Sequence, residues 1–144
     1  MDAYDELLEI LKDIDLMGQL RSLLGWDQEV MMPPKAAALR GEQIAWISRE
    51  SHKKKTSSRI GELLDELDGI DGLRDIEIAN IRLAREAYEK ATKLPTEFVS
   101  EMARHNSKAL ISWTEAREKN DFSIFRDDLA KCIDFARKKA DYLG

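Results

Sequence analysis

Hydrophobic residues recur at steps of three and four along nearly the whole chain, and no segment alternates between apolar and polar positions as a strand would. In the first segment the recurring positions are Tyr4, Leu7, Leu8, Leu11, Ile14 and Met17. Such spacing places side chains on one face of a helix, which Asp2 is suited to cap. The pattern continues to Trp26, and Pro33 and Pro34 then end it, because proline disfavours helical geometry in the preceding residue. The sequence therefore predicts a first helix that stops before the double proline.

The same periodicity predicts further helices separated by short breaks. They cover about 35–49, a short stretch capped by Ser57 or Ser58 that runs to Leu67, about 73–93, 96–119, and a last helix capped by Asp121 that runs to Leu143. Residues 52–58 are expected to form a loop. The predicted fold class is all-α, an antiparallel bundle of about five to six helices with long helices in the C-terminal half. No domain boundary is evident, so residues 1–144 are expected to form a single helical domain.

The composition and charge of the chain disfavour several kinds of binding partner and cellular compartment. The chain is 43% hydrophobic and 35% charged with a net charge of −5, so it has no positive field to attract nucleic acid or an anionic membrane. The basic run 52–55 contains no aromatic residue and is followed by many acids, which favours a solvated loop over a nucleic-acid patch. No apolar run reaches the ~18 residues of a membrane span, and the acidic first residues disfavour a secretory signal. A single cysteine, Cys132, fits a reducing compartment. We expect a cytoplasmic protein.

Few residues are candidates for chemistry. Neither His52 nor His105 has a second histidine three or four residues away, and both are flanked by cations that would oppose a divalent ion. We expect both histidines to lie on the surface. Cys132 falls on the apolar face of the last helix and is expected to be a small buried hydrophobe. The sequence provides no residue that we assign as catalytic, cofactor-binding or metal-ligating.

The most unusual stretch is GWDQEVMMPP, residues 25–34. Asp27 and Glu29 are two apart and would point to different sides of a helix, so they are expected to cap it or to pair with arginines such as Arg21 or Arg40.

The apolar residues of this stretch, Trp26, Met31 and Met32, are expected to form an aromatic–thioether cluster that sets the angle between two helices. The alternative is that residues 25–34, at the turn between the first two helices, form a surface that meets another domain or a ligand.

The same stretch resembles the segment SWDQE-x-MMPP near the start of the carboxypeptidase Taq family, with Gly25 in place of the common serine. The matching residues, which we expect to be structural, are Trp26, Asp27, Gln28, Glu29, Met31, Met32, Pro33 and Pro34. Further matches in order and spacing are Tyr4 to Leu8, Arg40, Glu42, Gln43, Leu94, Pro95, Phe98, Val99, Glu101, Arg104, Ser107, Trp113, Glu115 to Arg117, Asp121, Phe122 and Phe125. The resemblance covers essentially all 144 residues.

The resemblance implies the N-terminal wall and lid of the cleft of an α-helical zinc metallocarboxypeptidase, which removes C-terminal residues from peptides and is typically a homodimer. In that family zinc is held by a His-Glu-x-x-His helix and a downstream glutamate, and the motif is absent from this sequence. We therefore expect a chain that lacks a cofactor of its own, is inactive alone, and meets peptides only as part of a full enzyme.

The alternative is a stand-alone, non-catalytic helical interaction module that binds a peptide or protein partner or self-associates. Because a detached lid would expose apolar surface, a homo-oligomer such as a dimer, formed through parts of the long helices, is also expected.

Overall fold

The computed structural model describes residues 2–144, which form six α-helices and one short 3₁₀ helix, so the all-α prediction is confirmed. The helices are α1 (Ala3–Val30), a 3₁₀ turn (Pro34–Ala36), α2 (Ala37–Lys55), α3 (Ser58–Glu66), α4 (Asp75–Thr92), α5 (Thr96–Lys119) and α6 (Ser123–Leu143). Within the described range none of these helices is both long and apolar enough to cross a membrane. At 28 residues α1 is the longest, so long helices occur in both halves of the chain.

The first part of the core lies where α1, α3 and α4 meet. Its buried residues are Leu7, Ile60, Leu63, Leu64, Leu67 and Ala84. Three of the six belong to the nine-residue α3, and Leu63 and Leu64 are completely inaccessible to solvent. A short helix of this length is marginal in isolation, so burial of its apolar face holds it in place.

The second part of the core lies between α2, α5 and α6. α2 packs along α5, and α5 packs in turn along α6, while α4 makes its main contacts with α3 and α2. Small residues lie between α2 and α5: a Cβ on Gly41 would lie 3.9 Å from the Ser107 hydroxyl oxygen, and the Ser100 hydroxyl donates to the Ala45 carbonyl at 3.3 Å. Phe98 and Phe135 join α5 to α6, with ring centroids 5.6 Å apart. The α2–α5 pair positions the turn between α1 and α2.

The predicted helix starts are largely confirmed. Asp2 caps α1, and its carboxylate accepts from the Asp5 N–H at 2.8 Å. Ser57 occupies the cap position of α3 but makes no side-chain capping bond. Before α6, Asn120 adopts a left-handed conformation (φ 50°). The cap position of α6 is Phe122 rather than the predicted Asp121, although the Asp121 carboxylate accepts from the Ser123 N–H at 2.9 Å. Local capping signals in the sequence therefore locate these boundaries well.

The loop predicted over residues 52–58 is wrong in its first half, since α2 continues to Lys55. The start of α2 also differs, because a 3₁₀ turn occupies the residues after Pro33. His52 and the lysines that follow it lie in the last turn of the helix, where positive charge interacts favourably with the helix dipole. Lys54 also pairs with Asp13 of α1. A polar run with the composition of a solvated loop is thus a helix end fixed by contacts distant in sequence.

The prediction that both histidines lie on the surface is also wrong. His52 is only 6% exposed and His105 only 5%. The His52 Nε2 donates to the Ala91 carbonyl at 3.0 Å, and its Nδ1 lies 2.9 Å from the Thr96 hydroxyl, so the ring joins α2 to the end of α4 and the start of α5. The His105 Nε2 donates to the Asp128 carbonyl at 3.0 Å. Both rings can be buried because each donates a hydrogen bond to a backbone carbonyl of another helix.

Candidate functional site at the corner between the first two helices

Arg40, near the start of α2, holds the end of α1. Its guanidinium donates to the Asp27 carboxylate at 2.7 Å and to the Leu24 carbonyl at 2.7 Å. Its Nε donates to the side-chain oxygen of Gln43 at 3.0 Å. The Arg40 side chain is 13% exposed and that of Asp27 33%, so the ion pair is largely shielded from water. The expectation that Asp27 pairs with an arginine such as Arg40 is confirmed, whereas Arg21 donates to the Ser48 hydroxyl at 3.1 Å.

Two further contacts join the corner to α5. The Gln28 amide donates to the Ser107 carbonyl at 3.0 Å and accepts from the Ser107 hydroxyl at 3.1 Å. Glu42 receives two hydrogen bonds from Arg104, at 2.6 and 3.1 Å. These bonds and the positive charge of Arg104 lower the pKa of the Glu42 carboxyl below its ordinary value of 4.5. Asp27 and Gln28 of the motif therefore join α1 to α2 and α5, and the Glu42–Arg104 pair joins α2 to α5.

The apolar half of the motif is not packed as expected. Trp26 is 56% exposed and Met31 70% exposed, so the predicted aromatic–thioether cluster is wrong for these two residues. Met32 is half-buried, and Pro33 is extended (φ −61°, ψ 140°) before the 3₁₀ turn that begins at Pro34. The chain thus turns between two helices while leaving large apolar side chains in solvent.

An open apolar groove of about 490 Å³ runs beside this corner between α1 and α2. Its lining residues are Leu20, Leu23, Leu24, Glu42, Gln43, Trp46 and Ile47. Five of these seven are apolar, and the two polar ones already bond to Arg104 and Arg40. Periodicity missed the groove because it shows which residues share a face of a helix but not which face stays uncovered.

A second depression of about 370 Å³ lies on the α5 side of the corner. It brings Met32 and Pro34 of the motif together with Trp113 of α5. Gln28 and Glu29 also line it, and Glu29 is exposed. Four of the eight predicted motif residues thus line this depression. Asp27 lies in the Arg40 ion pair, and Pro33 starts the turn between the helices.

The side chains of the described residues do not form a set of ligands for the zinc that the resemblance implies. Among residues 2–144 there is no group of three His, Cys, Asp or Glu side chains placed to hold a metal ion. His52 and His105 each donate one ring nitrogen to a backbone carbonyl of another helix. Cys132 is half-buried rather than buried as predicted, and desolvation raises the pKa of its thiol, which disfavours the thiolate that binds metal. The two histidine rings therefore link helices to one another through their hydrogen bonds to backbone carbonyls.

Comparison with known proteins gives a consistent assignment. The family model described as carboxypeptidase Taq (M32) metallopeptidase matches residues 6–144. Thermostable carboxypeptidase 1 of Thermus thermophilus is 34% identical over 145 residues, and that of Pyrococcus furiosus is 32% identical over 143. These matches cover 98% and 99% of this chain but only 28% and 29% of the two relatives.

Solved structures agree over the same span. The crystal structure of BsuCP superposes with a TM-score of 0.95 at 30% identity, covering 100% of this chain and 29% of BsuCP. Metallocarboxypeptidase 1 of Trypanosoma cruzi gives a TM-score of 0.72 at 31% identity, covering 97% of this chain and 28% of that one. The chain thus spans less than a third of the length of these relatives and corresponds to their N-terminal part. It belongs to the carboxypeptidase Taq (M32) metallopeptidase family.

Proposed function

We propose that this chain works as the N-terminal helical part of a metallocarboxypeptidase that removes C-terminal residues from peptides in the cytoplasm. One observation carries the proposal. The family match over residues 6–144 coincides with a superposition in which the whole of this chain matches 29% of BsuCP, with a TM-score of 0.95. A shared sequence pattern together with a shared backbone over the whole span supports a shared place in the larger fold.

The contribution of this chain is structural under this proposal. The described residues offer no set of ligands for a metal ion, so the zinc ligands and the general base would come from the part of the fold beyond the matched span. Arg40 and the Gln28–Ser107 pair hold α1, α2 and α5 together. A rigid wall of this kind positions a peptide without taking part in the proton transfers.

The test is a pair of activity assays. The 144-residue chain alone, supplied with zinc, should release no C-terminal amino acid from an N-blocked dipeptide. A chimera in which the chain replaces the matching segment of BsuCP should release that amino acid, and a metal chelator should abolish the reaction. Activity of the chain alone, or a folded but inactive chimera, would contradict the proposal.

A second function, a stand-alone interaction module, is favoured by one specific observation. The groove between α1 and α2 is apolar and open, as a docking surface for a helix or a protein partner would be. On this alternative the chain binds its partner, or a second copy of itself, without any hydrolysis. The chimera assay distinguishes the two proposals, because a folded chimera without peptidase activity favours the module.

A further inference from the structure

The helices α1 and α2 leave large apolar residues exposed around the groove between them, and we call these residues the α1–α2 face. Its residues, each more than half exposed, are Leu16, Leu20, Leu23 and Val30 of α1 with Leu39 and Trp46 of α2. Leu16, Leu23 and Val30 are spaced by seven residues, and Leu39 and Trp46 repeat that spacing on the neighbouring helix. This is the spacing of residues that pack against other helices.

The α1–α2 face is also depleted of charge. From Leu16 to Val30 three of fifteen residues are charged, namely Arg21, Asp27 and Glu29, against 35% of the whole chain, and the first two are engaged with Ser48 and Arg40. The groove within the face is lined by seven described residues, none of them a cation. Depletion of charge with exposed tryptophan and leucine is typical of the centre of a stable interface.

The total exposed area indicates how much surface a partner covers. The accessible surface is 9483 Å² for a mass of 16.5 kDa. A compact monomer of that mass exposes about 7,600 Å², so this chain has roughly 1,900 Å² more than expected. A standard interface needs only about 800 Å² from each partner, whereas obligate ones bury about 2,000–5,000 Å² in total, roughly half from each side. The excess is therefore of the size that an obligate partner covers.

We propose that the α1–α2 face is the surface on which the remaining part of a carboxypeptidase Taq fold docks. This inference rests on the proposed function. The partner is the polypeptide that makes up the other seven-tenths of the relatives, since this chain corresponds to only 28% or 29% of them. It meets the face with apolar side chains, because the polar residues at the rim, Glu42 and Gln43, already bond to Arg104 and Arg40.

Two other occupants fit the observations less well. The terminal carboxylate of a peptide substrate needs a cationic partner, and the residues that line the groove include none. A second copy of this chain in a dimer of standard size would cover about 800 Å² and leave more than half of the excess surface exposed, so it fits only as an obligate dimer, which protection that increases with concentration would reveal.

The test measures how fast single cysteines are alkylated in the isolated chain and in the BsuCP chimera. In a background with Cys132→Ser, the variants Leu23→Cys and Trp46→Cys report on the face, and Asp127→Cys, whose native side chain is 93% exposed on α6, is the matched control. Each rate is divided by the rate at the same cysteine in denaturant, which removes differences in intrinsic reactivity. Cooperative thermal unfolding establishes that every variant is folded.

Docking predicts that the face cysteines react at least about tenfold more slowly in the chimera than in the isolated chain, while Asp127→Cys changes little. Equal rates for the face cysteines in both proteins would overturn the inference. So would protection in the chimera that increases with its concentration, because a second copy would then be the occupant. If the chimera does not unfold cooperatively, the same cysteines are placed in BsuCP itself, at the positions that superpose on Leu23 and Trp46.

This experiment separates the inference from the proposed function. Protection in a folded chimera that lacks peptidase activity leaves the docking surface standing and removes the function. Activity in a chimera whose face cysteines stay reactive leaves the proposed function standing and removes the docking surface.

Discussion

Replacing Arg40 by methionine should loosen the corner between α1 and α2. Methionine keeps most of the aliphatic stem but removes three hydrogen bonds, to Asp27, to the Leu24 carbonyl and to Gln43. A hydrogen bond to a charged group contributes about 1.5–3 kcal/mol, and the partner groups left behind can be partly hydrated because Asp27 is one-third exposed. We therefore expect a loss of about 2–3 kcal/mol in the free energy of unfolding.

The chain offers a matched control on the same helix. Arg49 bonds to its neighbour Glu50 at 3.2 Å, and both side chains are about one-third exposed. Arg49→Met should therefore cost less than about 0.5 kcal/mol, as is usual for surface ion pairs. A double-mutant cycle with Asp27→Asn should give a coupling energy of about 1–2 kcal/mol between Arg40 and Asp27.

The assay is urea unfolding followed by far-UV circular dichroism. For a chain of this size a loss of about 2–3 kcal/mol lowers the midpoint by roughly 1 M urea, and the melting temperature by several degrees. If Arg40→Met behaves like Arg49→Met, or if the coupling energy is near zero, then the ion pair does not hold the corner and the reasoning is refuted.

Three further variants test other parts of the structure by the same unfolding assay. In Gly61→Ala the new Cβ would lie 2.8 Å from the Tyr88 hydroxyl oxygen, so the ring must move, and we expect a loss of about 1–3 kcal/mol; an unchanged midpoint would show that the contact relaxes freely. Gly25→Ala meets nothing within 4 Å in the C-terminal part of α1 and should instead stabilise by about 0.5–1 kcal/mol, so a destabilised variant would count against the continuous helix. Hydrogen bonds from Arg104 lower the pKa of the Glu42 carboxyl in the folded protein. The stabilisation of the folded state by these bonds is therefore complete above pH 4.5, and it is lost as the pH falls through the lowered pKa of the folded protein. Glu42→Gln should therefore flatten the decline of the urea midpoint below pH 4.5, and an unaltered slope would contradict this assignment.

Features that depend on neighbouring residues can be predicted from the sequence. The α5 boundaries of Thr96 and Lys119 and the cap at Asp2 follow from proline, capping side chains and periodicity, which all act within one turn of helix. The pairing of Asp27 with Arg40 is also predictable, since thirteen residues and one tight turn separate the two groups.

Features that depend on distant contacts are not predictable in this way. His52 is buried because its ring meets the Ala91 carbonyl and the Thr96 hydroxyl, about forty residues away in sequence. Nothing local to the run of lysines marks those partners, so its composition alone predicts a loop. The exposed position of Trp26 and Met31 has the same origin, since only the assembled fold shows which apolar side chains are left without neighbours.

The most direct test of the central claim is the intact mass of the polypeptide that carries this sequence in its source cells. Antibody capture followed by mass spectrometry gives the mass, and an assay of the captured material gives its C-terminal peptidase activity and chelator sensitivity. We expect a polypeptide well above 16.5 kDa that releases C-terminal residues from peptides and is inhibited by the chelator. A 16.5 kDa product without such activity, captured alone or with an unrelated partner, would contradict this expectation and favour the interaction module.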